Sequence, residues 1–160
     1  MIILKVKKLD NHAKIPKLAT EGSACFDLSS VEDISITTGQ LVRARTGLAV
    51  EVPKGYCMEI LPRSGLASRG IIILNSPGIV DSDYRGEVIV LLYGLCVNRL
   101  EMFSRGARIA QARLVRTNPT EIRVTGHLEE TTRGAGGFGS TGVEALPDNK
   151  NKEAQTIGGV

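Results

Sequence analysis

Residues 71–94 read IIILNSPGIVDSDYRGEVIVLLYG. Two apolar runs, residues 71–74 and 87–93, enclose a polar turn carrying Pro77-Gly78, Asp81, Asp83 and Gly86. Short apolar, β-branched runs bounded by Gly, Pro, Asn and Asp read as strands. In the second run Val88-Ile89-Val90-Leu91-Leu92 is apolar at every position, the pattern of a strand covered on both faces. A domain of this size has room for one core, so the second face is expected to meet another subunit.

The punctuation continues in both directions. Pro16, Gly22, Gly39, Gly47, Pro53-Lys54-Gly55, Pro62, Gly106, Pro119 and Gly126 mark further turns. Between them strands are expected at residues 2–6, 41–50, 56–61, 108–115 and 121–125. Short strands at this spacing indicate an all-β sandwich or barrel. Residues 108–115 alternate most clearly, with Ile109, Gln111, Arg113 and Val115 expected on one face and Arg108, Ala110, Ala112 and Leu114 on the other. No segment sustains a helical period. One short helix is expected at residues 64–69, capped by Ser64. The reading gives a β-domain over residues 1–125, a mobile Gly-rich arm over 126–142 and a polar, disordered tail over 143–160.

Composition narrows the classes. The chain has 160 residues, 42% of them hydrophobic but only 4% aromatic, so its core must be built from Ile, Leu, Val and Ala. That apolar content excludes a disordered chain. No apolar run approaches the ~18–20 residues of a membrane span. The start, Met-Ile-Ile-Leu-Lys-Val-Lys-Lys, inverts the order of a secretory signal. A net charge of +3, with Lys5, Lys7, Lys8, Lys14 and Lys17 early and the arginines later, makes no dense basic stripe, so no nucleic-acid partner is expected. Cys25, Cys57 and Cys96 form no CxxC pair and read as reduced thiols, which points to the cytoplasm or another intracellular compartment, nuclear or viral-host.

Several polar stretches could carry chemistry. Arg133-Gly134-Ala135-Gly136-Gly137-Phe138-Gly139-Ser140-Thr141-Gly142 formally contains the dinucleotide fingerprint, but it neither closes a strand nor opens a helix. It is either a linker or a cradle: glycines let backbone N–H groups approach an anion, while Arg133, Ser140, Thr141 and the flat face of Phe138 suit a nucleotide. Pro62-Arg63-Ser64-Gly65-Leu66-Ala67 is either a capped helix with a surface arginine or an anion site at a helix start. In the turn after Asn75, Asp81 and Asp83 are either ordinary turn residues or a source of a general base, since an aspartate is ionised at neutral pH. Gln111, placed on an apolar face, needs a polar partner. His12 and His127 stand alone in polar contexts.

In this order, the stretches around Asp27, Pro62–Ala67, Asn75–Glu87, Arg105–Gln111 and Arg133–Gly142 resemble the five motifs of the trimeric dUTP diphosphatases (dUTPases). The resemblance covers about residues 15–142. It implies a jelly-roll-like β-barrel or sandwich, a homotrimer with active sites at subunit interfaces, and Mg²⁺-assisted hydrolysis of dUTP to dUMP and pyrophosphate. That reaction keeps uracil out of DNA and supplies dUMP for dTMP synthesis. By resemblance Asp81 is the base that activates water against the α-phosphorus. Tyr84 packs under the deoxyribose, and Asn75 with the backbone near Gly78 reads the uracil edge. Arg63, Ser64, Gly65 and Gln111 hold phosphates and water. Phe138 stacks on uracil as the arm closes, with Arg133, Gly139, Ser140 and Thr141 over the phosphates. Asp27 touches the metal only through water, and Arg85 and Arg108 are structural or interfacial. Cys25, Gly94, Ala107 and Ala135 depart from the usual pattern, the last two by replacing acidic residues. A dCTP deaminase of the same fold family, which needs a carboxylate base elsewhere, and a non-catalytic β-trimer are the rival expectations. A single-stranded nucleic-acid binder would need several spaced aromatics, which the chain lacks.

Overall fold

A computed structural model describes residues 2–98, 100–140 and 142. Thr141 and the expected tail over 143–160 lie outside the described residues. The described residues fall into two compact units, divided between Thr120 and Glu121.

The first unit is built from strands β1 (Lys5–Lys8), β2 (Phe26–Ser29), β3 (Ile34–Ile36), β4 (Leu41–Glu51), β5 (Tyr56–Leu61), β6 (Ile71–Ile73), β7 (Gly78–Val80), β8 (Glu87–Gly94), β9 (Glu101–Phe103) and β10 (Arg108–Arg116). The helix α1 (Ser64–Ala67) lies between β5 and β6. One four-stranded sheet runs β1-β4-β8-β6, a second runs β2-β10-β5-β7, and β3 pairs with β9. Every pairing is antiparallel. The all-β, jelly-roll-like sandwich expected from the turn spacing and the resemblance is the fold observed.

The main core cluster is fed by both sheets, with Ala44, Val50, Val88, Val90 and Leu92 from the first and Leu28, Met58, Ile60, Ile109, Ala110 and Ala112 from the second, and a smaller cluster gathers Ala13, Val31 and Leu48. Phe26, Tyr56 and Phe103 pack against it only partly buried. Aliphatic side chains therefore make the interior, as so few rings require. In β8, Val88, Val90 and Leu92 enter this core, while Ile89, Leu91 and Tyr93 on the other face stay half-buried.

Four local expectations change, the first being that β1 occupies Lys5–Lys8 where a strand was expected at residues 2–6. In β10 the register shifts between Arg108 and Ala110, opposite Ser29 and Leu28, so one extra residue is accommodated at Ile109. Ile109 and Ala110 are both buried and Arg108 turns outward, instead of Arg108 sharing a face with Ala110. Gln111 consequently leaves the face of Ile109. The helix is shorter than residues 64–69, and Ser64 is not its cap. Arg63 is the N-cap, with extended backbone (φ −90, ψ 136) and no side-chain capping bond. Residues 121–125 form no strand: among the described residues none pairs with them, and Ile122 and Val124 are fully exposed.

Gly94 is explained by packing. A Cβ there would lie 2.1 Å from the Thr37 carbonyl oxygen, inside any allowed contact. The Gly94 N–H donates to the Gln40 carbonyl and its own carbonyl accepts from Gly39, so the β3–β4 turn is laced directly onto the end of β8.

Candidate active site

The second sheet sets three of the motif stretches in one row. Gln111 on β10 pairs with Asp27 on β2 to one side and with Leu61 on β5 to the other. Pro62 and Arg63 follow Leu61 directly, so the chain leaves the sheet beside Gln111. The Gln111 Nε2 donates to the Pro62 carbonyl at 2.9 Å, the polar partner its position demands. Asp27 is flanked by two guanidiniums: Arg63 Nε lies 2.8 Å from its Oδ1 and Arg108 Nη1 lies 3.0 Å from its Oδ2. Arg63 Nη1 also donates to the Arg108 carbonyl at 3.2 Å. The outward turn of Arg108 at the β10 irregularity is what lets it reach Asp27. The Ser64 hydroxyl takes no partner among the described residues. A side chain at Gly65 would meet nothing within 4 Å, so packing does not demand glycine there.

The stretch after Asn75 builds a separate concavity. A cavity of about 270 Å³ is lined by Asn75, Gly78, Asp81 and Tyr84, with Arg43, Ile60, Ile79, Glu87 and the outer face of β8, Ile89 and Leu91. Its lining includes Asp81 and not Asp83. The Asp81 carboxylate has no ion pair or hydrogen bond among the described residues, and its carbonyl accepts from the Tyr84 N–H. The Tyr84 hydroxyl donates to the Glu87 carbonyl at 3.0 Å, folding the ring back over Gly86. A Cβ on Gly86 would stand 2.4 Å from that hydroxyl oxygen, so this ring position requires glycine. At Gly78 a Cβ would press on Asn75 Nδ2 at 3.3 Å and Ile60 at 3.4 Å. Glu87 is held by Arg45 Nε at 3.1 Å and the Gly47 N–H at 2.8 Å. The same hydrogen bond raises the Arg45 pKa above its ordinary value, with the Glu87 charge adding to it.

A larger cavity of about 760 Å³ adjoins the arginine cluster, lined by Lys14, Lys17, Asp27, Ser29, Ala107 and Arg108 with Ile15, Leu18, Ala19 and Gly106. The motif residues thus separate into two groups, because the cavity of Asp81 includes none of Asp27, Arg63 or Gln111. The sequence reading missed Arg43, Ile60, Glu87, Ile89 and Leu91 as lining residues. It gave no signal for them, since their roles follow from strand pairing.

The second unit carries the Gly-rich arm. It turns repeatedly: Gly134, Gly136 and Ser140 donate to the carbonyls of Thr131, Arg133 and Gly137. Arg133 Nε donates to the Gly136 carbonyl at 2.9 Å. Phe138 adopts a positive φ of 50 and its ring is fully exposed. Gly139 follows at φ 88. A β-branched or bulky residue in the left-handed region is strained, and here it presents an aromatic face to solvent.

A dUTPase family model matches residues 11–142. The chain belongs to the dUTPase family. It is 49% identical over 140 residues to the deoxyuridine 5'-triphosphate nucleotidohydrolase of Nautilia profundicola, covering 87% of this chain and 98% of that one. The protein of the same name from Rickettsia bellii is 44% identical over 144 residues, covering 88% and 95%. The one from Helicobacter pylori strain P12 is 42% identical over 141 residues, covering 88% and 97%. Among solved structures, the Staphylococcus bacteriophage 80alpha dUTPase with dUpNHpp shares the fold at a TM-score of 0.76 and 24% identity, covering 88% of this chain and 99% of that one. A point-mutant dUTPase from phage phi11 of S. aureus, at a TM-score of 0.71 and 19% identity, covers 80% of this chain and 99% of that one, and it coordinates a structural Mg(II) ion.

For this dUTPase-family chain, no group of three or more His, Cys, Asp or Glu side chains among the described residues could hold a metal ion. Asp27 already faces two cations. The described side chains therefore do not form a metal cage. No helix among the described residues is long and apolar enough to cross a membrane.

Proposed function

We propose that the protein hydrolyses dUTP to dUMP and pyrophosphate, with Asp81 activating water against the α-phosphorus. The observation that carries this reading is the cavity joining Asn75, Gly78, Asp81 and Tyr84, with the Asp81 carboxylate unpaired among the described residues. Asn75 and the backbone near Gly78 would read uracil through donors and acceptors, which rejects the exchanged pattern of cytosine. Tyr84, held over Gly86, would pack under the sugar. Arg63, Ser64, Gly65 and Gln111 would hold phosphate oxygens. Phosphoryl transfer asks mainly for positioning and charge neutralisation, which arginines and backbone N–H groups supply. Mg²⁺ binds largely through nucleotide phosphates and its own waters, so it would arrive with the substrate.

The separation of the two groups supports a homotrimer with sites completed between subunits, as does the half-buried apolar face of β8. Residues 126–142 would act as the lid, with Phe138 over the base and Arg133, Gly139, Ser140 and Thr141 over the phosphates. A free nucleotide as substrate would place the reaction inside the cell.

Assaying dUTP beside dTTP, dCTP and UTP for pyrophosphate release tests the reading. Selective release from dUTP is expected. Ammonia from dCTP, or no turnover of any triphosphate, would sink it. Gly86→Ala is expected to displace the Tyr84 ring and raise KM for dUTP about tenfold, with a smaller gap between dUTP and UTP. Unchanged discrimination would show that Tyr84 does not read the sugar.

A further inference from the structure

We propose that Arg43 is a further substrate-binding residue, a cation on β4 that holds the α-phosphate of the nucleotide in the cavity of Asp81. This deepens the dUTP-hydrolysis reading and rests on it. Arg43 lies outside the five motif stretches.

Strand pairing puts it there. Along β4, Ala44 and Thr46 are buried, while Arg43 and Arg45 stand exposed on the opposite face. Their partners on β8 are Leu91 and Ile89, which line the same cavity as Asn75, Asp81 and Tyr84. The two arginines differ in what they hold. Arg45 is committed, since its Nε lies 3.1 Å from the Glu87 carboxylate. Arg43 lines the cavity and has no ion pair or hydrogen bond among the described residues.

The charges of the lining are therefore unequally used. Of its two carboxylates, that of Glu87 is answered by Arg45 and by the Gly47 N–H. Asp81 and Arg43 are left over, one unpaired anion and one unpaired cation in a single concavity. An unpaired arginine is ordinary on an open surface. One that shares a mostly apolar cavity with an unpaired carboxylate is placed for a ligand. A carboxylate that activates water against phosphorus works beside an anionic phosphate, and like charges repel. A guanidinium in the same lining offsets that repulsion, and its planar fork matches two phosphate oxygens. Uracil and deoxyribose carry no charge and would use it less well. Among the described residues that line this cavity, Arg43 is the one cation.

The test compares the full chain with Arg43→Gln and Arg43→Lys. Binding of dUMP and of deoxyuridine, which differ by the α-phosphate, is measured by calorimetry without metal. Arg43→Gln is expected to weaken dUMP about ten- to a hundredfold, the loss of hydrogen bonds to a charged group, and to leave deoxyuridine within about twofold. Arg43→Lys keeps the charge and loses the fork, so its dUMP affinity should fall between the two. The kcat/KM for dUTP should follow the dUMP losses. Because Arg43 is exposed and bonds to nothing among the described residues, both variants should keep the parental melting temperature and sedimentation mass. Parental dUMP affinity in Arg43→Gln would overturn the inference. Equal losses for dUMP and deoxyuridine would overturn it by making Arg43 a support of the cavity, and a changed sedimentation mass by making it a subunit contact. A parent chain that binds neither ligand and releases no pyrophosphate from dUTP would instead defeat the functional reading on which the inference rests.

Discussion

Asp81→Asn is expected to slow pyrophosphate release from dUTP by about 10²–10⁴-fold, the range a general base contributes, while leaving nucleotide affinity within about threefold. The side chain keeps its size and loses only its ability to accept a proton. Asp81 follows β7 directly, so the ladder that pairs Val80 with Met58 fixes its backbone. Its carbonyl is tied by the Tyr84 N–H, and its carboxylate is committed to no partner among the described residues. A structural aspartate in a turn is normally consumed by its own loop. This one is left available in the lining of a cavity of about 270 Å³. Asp83, two residues on and outside that lining, is the internal control: Asp83→Asn should turn over near the parental rate. Single-turnover kinetics, with calorimetry on α,β-imido-dUTP, separate the two effects. Asp81→Asn turning over within tenfold of the parent would remove Asp81 from the chemistry.

The periodic features were legible in advance. β5 is found where expected, residues 56–61, and β4, β6, β8 and β10 differ from their expected ranges by one residue at an end. These strands have apolar runs bounded by turn residues. β3, β7 and β9 are three residues each and lack the continuous apolar run that marks the equally short β6, so they are defined by their partners. The irregularity in β10 was invisible because Arg108-Ile109-Ala110 reads as clean alternation. Only pairing with β2 shows that Ile109 and Ala110 both turn inward. The same shift brought Arg108 to Asp27, so the ion-paired cluster was hidden for the same reason. For residues 121–125 the error ran the other way. Ile122 and Val124 have strand character, but a strand exists only where a neighbour takes its hydrogen bonds. Residues whose chemistry is local, such as the turn from Asn75 to Tyr84, could be found one by one. Their division between two places could not.

Truncation after Thr132 is expected to lower kcat/KM for dUTP by about 10²–10⁴-fold without lowering the melting temperature of the domain. Base–aromatic stacking is worth about 1–3 kcal/mol, and hydrogen bonds to a charged group about 1.5–3 kcal/mol. Losing Phe138 and Arg133 together therefore removes about 2.5–6 kcal/mol, which converts to roughly that range. The fold should not notice, because the buried core is built from residues of the first unit and none of the described arm residues is buried. Phe138 is informative by itself: its ring is fully exposed and its backbone sits at φ 50, where glycine would rest more easily. A position that exposes an aromatic ring on strained backbone contributes nothing to stability, so its benefit must lie in what the ring covers. Phe138→Gly should relieve that strain and still lose about five- to a hundredfold in kcat/KM, the stacking share alone. A shortened chain with parental kinetics would end the lid assignment. One that lost its thermal stability would show instead that the arm belongs to the fold.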